Sequence, residues 1–85
     1  MKKVIIYTGA LCIHCKWAKE LLNKKKVPFE EIYIADKPEK MSEMINKSNG
    51  KRTVPQIFIG DMHVGGNREL QSLEKEGKLD SILNT

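Results

Sequence analysis

Cys12 and Cys15 are the only cysteines in this 85-residue chain, and two residues stand between them in the segment Cys12-Ile13-His14-Cys15. That spacing suits thiol–disulfide exchange: one accessible thiolate attacks, and a nearby second thiol resolves the mixed disulfide. A structural role explains the pair poorly, because a loop this short removes little entropy from the unfolded chain. The segment follows the apolar run Val4-Ile5-Ile6-Tyr7 and precedes a helical pattern, so Cys12 falls at a strand-to-helix junction. There the backbone N–H groups of His14 and Cys15 lack intrahelical acceptors, and the helix dipole adds partial positive charge. Both effects favour a thiolate at Cys12. Cys15, one turn further in, is expected to be more buried and less ionised. Cys12 is therefore read as the nucleophile and Cys15 as the resolving thiol. An imidazolium at His14 would lower the pKa of Cys12 further and make the pair more oxidising; a solvated histidine on an exposed turn is the alternative.

Two other segments bear on the same chemistry. In Thr53-Val54-Pro55 a proline stands directly before an apolar strand, where it cannot donate to the sheet ladder. A cis Val54–Pro55 bond would turn the N–H and C=O of Val54 outward to pair with an extended peptide, although most such bonds are trans. In Gly65-Gly66-Asn67-Arg68-Glu69, paired glycines allow close backbone approach and open a helix whose first N–H groups can hold a carboxylate. Glu69 in that first turn could meet an ammonium group, or simply be an acid favoured by the helix dipole. Cys12, Cys15, His14 and His63 would supply four zinc ligands, but His14 lies between the cysteines and His63 lacks finger-like spacing. No metal site is expected. His63 is placed on the exposed face of a short strand, and neither it nor Trp17 is assigned a functional role.

These segments need a scaffold, and the hydrophobic pattern describes one. Lys3 to Tyr7 reads as a buried strand. From Ile13 to about Lys26, Trp17, Ala18, Leu21 and Leu22 fall on one helical face, and Val27-Pro28 ends the helix. Phe29 to Ala35 is a second strand, joined to the first by a helix long enough for a parallel crossover. Asp36 is placed as the N-cap of a second helix, with Pro38 and Glu39 in its first turn, Met41, Met44 and Ile45 inward, and Asn49-Gly50 at its end. Gln56 to Ile59 is a third strand, Gly60-Asp61 a tight turn, and Met62 to Val64 a short antiparallel partner. Leu70 and Leu73 face inward from a last helix that Gly77 breaks, and Leu79, Ile82 and Leu83 suggest a final turn or short helix. The order is β-α-β-α-β-β-α: an α/β fold with a four-stranded mixed sheet flanked by helices, in one domain over residues 1–85.

The net charge is +4, and of the 15 basic residues only Arg52 and Arg68 are arginines. The lysines are spread along the chain, apart from Lys24-Lys25-Lys26, without the interleaved aromatics or arginine forks of a nucleic-acid binder. Such a balance suits a small anionic substrate. Met1-Lys2-Lys3 imitates the start of a signal peptide, but the apolar run breaks at Tyr7-Thr8-Gly9, short of the ~7–15 residues required. Leu11 is too bulky for the position before a lipoprotein cysteine, and no segment approaches ~20 apolar residues. A cytoplasmic monomer without nucleic-acid or membrane partners is expected.

Taken together, Cys12-Ile13-His14-Cys15, Thr53-Val54-Pro55 and Gly65-Gly66 at these separations resemble the glutaredoxins. The resemblance covers the whole chain, with Val54 to Gly60 and His63 to Gly66 looking like the small bacterial dithiol class. It implies a thioredoxin fold and glutathione-dependent thiol–disulfide exchange on disulfide-containing or glutathionylated proteins. Glutathione would be a co-substrate, a reductase system would stand behind it, and no cofactor would be bound tightly. The same resemblance implies that Val54, in Thr53-Val54-Pro55, pairs with the cysteinyl part of glutathione. Past Gly66, the N–H groups of Asn67 and Arg68 would hold the γ-glutamyl carboxylate, and Glu69 its amino group. Lys51 or Arg52 would reach the glycine carboxylate. Three residues depart from the family pattern: Ile13 and His14 replace proline and tyrosine, Gly9 stands where a lysine is common, and Glu69 where aspartate is usual. Two variants of the implied function are reduction by thioredoxin reductase in place of glutathione, and an iron–sulfur cluster shared across a dimer.

Overall fold

The computed structural model describes residues 1–85. Along the chain run β1 (Val4–Thr8), α1 (Ile13–Lys24), β2 (Glu30–Tyr33), α2 (Pro38–Lys47), β3 (Gln56–Ile59), β4 (Met62–Gly65), α3 (Asn67–Lys75) and α4 (Leu79–Leu83). The sheet order is β2-β1-β3-β4, with β1 parallel to β2 and antiparallel to β3, and β3 antiparallel to β4. This is the expected mixed sheet, and the final turn is a short helix.

Side chains of a strand alternate between its faces, so a central strand must be apolar on both. Val4 and Ile6 of β1 join Ile57 and Ile59 of β3 against Ala18, Leu22, Leu70, Leu79 and Leu83, the core under α1, α3 and α4. On the other face Tyr7 and Phe58 pack with Met44 of α2. Burying one such aliphatic side chain contributes about 1.5–3 kcal/mol, while an exposed pair such as Lys3–Glu30 contributes at most about 1 kcal/mol. Packing therefore holds the sheet, and the surface ion pairs are secondary.

Three details differ from the sequence reading. Asp36 is not an N-cap: it sits at φ 62 in a turn closed by Lys37 N–H donating to Ile34 O at 3.0 Å, and Lys37 precedes the helix without a side-chain cap. Aspartate tolerates that left-handed conformation, which is why a turn competes with a cap here. Helix α1 stops before the proline. Lys26 takes φ 59, and the N–H groups of Lys26 and Val27 return to Asn23 O and Leu22 O, closing the helix with a Schellman motif. Trp17 is exposed, because at 3.6 residues per turn it lies roughly 120° round the helix from the buried stripe of Cys15, Ala18 and Leu22.

Tyr7 is fully buried, and its hydroxyl donates to Glu43 Oε2 on α2. Burial, with the neighbouring carboxylate, raises the phenol above its ordinary range. That hydrogen bond in turn is the main cause that holds the Glu43 carboxyl below its ordinary 4.5. A depressed carboxylate stabilises the fold above its unfolded pKa, and the contribution is lost as pH falls through the folded value. Tyr7→Phe should lower stability by about 1 kcal/mol at neutral pH. It should also flatten the acid limb below about pH 4.5, since Glu43 then titrates more nearly alike in both states. Urea unfolding of both proteins across that range measures this, and an unchanged acid limb would contradict the linkage.

Candidate active site

Tyr7 lies opposite Gln56 in the antiparallel register, so the chain leaving β1 and the chain entering β3 run side by side. The first carries Cys12 and the second carries Val54. Thr8, the last residue of β1, is buried and donates to Glu31 Oε2 at 2.7 Å; Lys19 Nζ on α1 reaches the same oxygen at 3.0 Å. The Thr8 hydroxyl is the main cause holding the Glu31 carboxyl below its usual value. This knot ties the end of β1 to β2 and α1 immediately before the turn at Gly9–Leu11.

Cys12 is the N-cap of α1, extended at φ −114, and its Sγ accepts the N–H of Cys15 at 3.0 Å. A capping side chain normally satisfies one first-turn donor, and here the sulfur takes that place. Cys15 alone supplies the bond, whereas the sequence reading assigned it to His14 as well. The two sulfurs are joined as a disulfide. Cys15 is 3% exposed and Cys12 half-buried, which leaves Cys12 as the sulfur open to attack. His14 is exposed; its ring meets Trp17 edge-on at 5.2 Å, and its Nδ1 accepts from Asn67 Nδ2 at 3.4 Å.

The Val54–Pro55 peptide is cis. The Val54 carbonyl is not turned away from the protein, since it lies 3.7 Å from Cys12 Sγ. The same close approach accounts for Gly9: a Cβ there would stand 3.1 Å from Val54 Cγ2, so a larger residue requires Val54 to give way.

Glycine is required at Gly65, which has φ +114. A Cβ on it would also lie 3.0 Å from Glu69 Oε1, because that carboxylate folds back to accept the Gly66 N–H at 2.7 Å. Glutamate three residues past the N-cap can make this return bond, half of a capping box, and the shorter aspartate cannot reach it as well. Part of the space left open by the glycines is thus covered by Glu69. The N–H groups of Asn67 and Arg68 begin α3 and have no intrahelical acceptors. Asn67 is buried, and its Oδ1 accepts from Gln71 Nε2 at 3.1 Å.

A groove of about 380 Å³ gathers Lys51, Thr53, Gln56, His63, Gly65 and Glu69. It unites the segment around Thr53 with Gly65, while Gly66, Arg52 and Arg68 do not line it and the two arginines are exposed. Gln56 and His63 were missed by sequence reasoning. His63 is half-buried, stacked on Phe58 with centroids 4.8 Å apart, and its Nε2 meets Gln56 Oε1 at 2.7 Å. A buried glutamine in an otherwise apolar strand was the available signal, since a buried amide needs partners. No three His, Cys, Asp or Glu side chains converge as a metal-holding group, and no helix is long and apolar enough to cross a membrane.

Gly65→Ala should destabilise the fold by about 1–3 kcal/mol, through its positive φ and the displaced Glu69 carboxylate. Thermal unfolding checks this, and a variant as stable as the parent would show that the turn can relax.

The glutaredoxin family model matches residues 4–64. Glutaredoxin 1 of Rickettsia prowazekii (strain Madrid E) is 54% identical over 81 residues, covering 94% of this chain and 85% of that protein. The solution structure of glutaredoxin from Brucella melitensis superposes with a TM-score of 0.84 at 51% identity, over 98% of this chain and 89% of that one. A crystal structure of a buckwheat glutaredoxin–glutathione complex shares the fold, with a TM-score of 0.85 at 24% identity over 98% of this chain and 77% of that one. With its thioredoxin fold and its Cys12–Cys15 pair at the head of α1, the chain belongs to the glutaredoxin family of thiol–disulfide oxidoreductases.

Proposed function

We propose that this oxidoreductase uses glutathione as its electron donor and acts on protein disulfides and on protein–glutathione mixed disulfides. The single observation that carries the reading is the placing of Cys12 Sγ between the Cys15 N–H and the carbonyl of Val54, the residue after Thr53, which with Lys51 and Glu69 lines a groove. In the exchange, the Cys12 thiolate attacks one sulfur of the substrate disulfide; a new Cys12 S–S bond forms, and the departing thiolate takes a proton. On the dithiol route, deprotonated Cys15 then attacks Cys12 Sγ, frees the second substrate thiol and closes the Cys12–Cys15 disulfide. One glutathione thiolate reopens it by attacking Cys12, and a second removes the first as oxidised glutathione, restoring both thiols.

Glutathione is an anion at neutral pH with carboxylates at both ends, and the site offers a donor for each. Lys51 or Arg52 takes the glycine carboxylate, Val54 in the Thr53-Val54-Pro55 turn pairs with the cysteinyl backbone, and the N–H groups of Asn67 and Arg68 past Gly66 take the γ-glutamyl carboxylate. Glu69 meets the γ-glutamyl amino group with the oxygen not engaged by Gly66. That a buckwheat glutaredoxin of the same fold has been crystallised with glutathione supports the choice of glutathione as the thiol. The protein works as a cytoplasmic monomer served by a glutathione-regenerating reductase.

A glutathione-coupled assay on a glutathionylated peptide and on a peptide disulfide tests this. Cys12→Ser should fall to the uncatalysed rate on both, because the one cysteine left, Cys15, is only 3% exposed and cannot reach a substrate sulfur. Cys15→Ser should keep turnover of the glutathionylated peptide, which needs no resolving thiol, and lose most of it on the peptide disulfide. Reduction by thioredoxin reductase with none by glutathione would overturn the donor assignment, and activity in Cys12→Ser the nucleophile.

His14 is proposed to tune Cys12, from its exposed place at the head of the same helix. In a Cys15→Ser background, His14→Tyr should shift the onset of Cys12 thiolate absorbance to higher pH. Superimposable titrations would remove that role.

A further inference from the structure

The segment from Arg52 to Pro55 presents Val54 to the redox sulfur, yet it has no backbone–backbone hydrogen bonds of its own. Its polar ties come from side chains. Gln56 Nε2 donates to Thr53 O at 2.9 Å and to Thr53 Oγ1 at 3.2 Å. A carbonyl oxygen can only accept, so the end of the amide that faces Thr53 must be its NH2, and Oε1 must face the other way. His63 Nε2 stands there at 2.7 Å, and its role is thereby settled as that of an N–H donor. The imidazole is itself held by stacking on Phe58, whose ring also meets Tyr7, edge-on at 5.7 Å, and Lys47 Nζ, 4.9 Å from its centroid. A rotated amide would set its NH2 against the His63 donor and leave Thr53 O unpaired. One orientation therefore satisfies every group. The shared amide also leaves the Thr53 hydroxyl proton free to be donated into the groove that Thr53, Gln56 and His63 line together.

We propose that His63 and Gln56 are positioning residues for the thiol substrate: the imidazole fixes the Gln56 amide, and the amide fixes Thr53 and Val54 beside Cys12. The inference rests on the glutathione reading above. It predicts that the pair acts on substrate engagement, where the loop must already be in place, rather than on the sulfur chemistry, which belongs to Cys12 and Cys15.

The test compares wild type with His63→Phe, His63→Gln and Gln56→Leu in the glutathione-coupled reduction of a glutathionylated peptide. Phenylalanine keeps the stacking on Phe58 and removes the donor, whereas glutamine can offer an amide N–H near the place of Nε2. His63→Phe and Gln56→Leu should raise KM roughly fivefold with kcat within about twofold of wild type, and His63→Gln should recover most of the loss. A wild-type KM in His63→Phe, equal losses in His63→Phe and His63→Gln, or a loss confined to kcat would each overturn the proposal. Absence of turnover in wild type would refute the glutathione reading instead. A second measurement then decides the clamp: backbone ¹⁵N order parameters at Thr53 and Val54 should fall in His63→Phe and Gln56→Leu from the rigid value of about 0.85 toward about 0.6. Unchanged order parameters there would refute it even where the thermal midpoints agree.

Discussion

The pairing of Tyr7 with Gln56 across β1 and β3 is the constraint from which the site follows. It brings two chain segments, remote in sequence, to the same edge of the sheet. One turns into α1 through Gly9–Cys12, and the other arrives at β3 through Thr53–Pro55. Because the two run antiparallel, the end of one strand abuts the beginning of the other, and Cys12 Sγ comes within 3.7 Å of the Val54 carbonyl. Apolar packing on both faces of β1 holds that register, since a slip of one residue would exchange the buried faces.

Around this register the polar side chains each do local work that backbone bonding leaves undone. Glu31 ties the end of β1 through Thr8 and Lys19, Glu43 satisfies the buried phenol of Tyr7, and Glu69 returns to the start of its own helix. Lys25, nearly buried at the end of α1, bridges Glu74 and Asp80 and so ties α1 to α3 and α4. None of these acids lies beside the Cys12–Cys15 sulfurs in a hydrogen bond, and the donor that does reach Cys12 is a neutral backbone N–H. The donor at Cys12 Sγ is thus supplied by the first turn of the helix and not by a side-chain cation.

Much of the fold was legible in the sequence for physical reasons. The unbroken apolar run at Val4–Tyr7 demanded a strand buried on both faces, and Asn49-Gly50 and Gly77 marked helix ends because the left-handed conformation at a C-terminus favours them. Lys26 takes the same conformation without being glycine or asparagine, so that helix end was misplaced toward the proline. Asp36 was misread because aspartate serves equally in caps and in turns, and only the bond from Lys37 to Ile34 distinguishes them. His63 looked like a surface residue because alternation within a strand says which face a side chain takes, and not what stands across the groove.

By itself the sequence determined where the redox sulfurs stand: two cysteines three positions apart at a strand-to-helix junction place the pair and its first-turn donor together, because all of these lie within one helical turn. Tertiary structure alone decided what surrounds them. That Val54 faces the sulfur, that Glu69 caps Gly66 across the glycine pair, and that His63 reaches Thr53 through Gln56 all depend on side-chain orientation. The first and the last of these join different elements, and spacing along the chain carries no record of the direction a side chain takes once the sheet has closed.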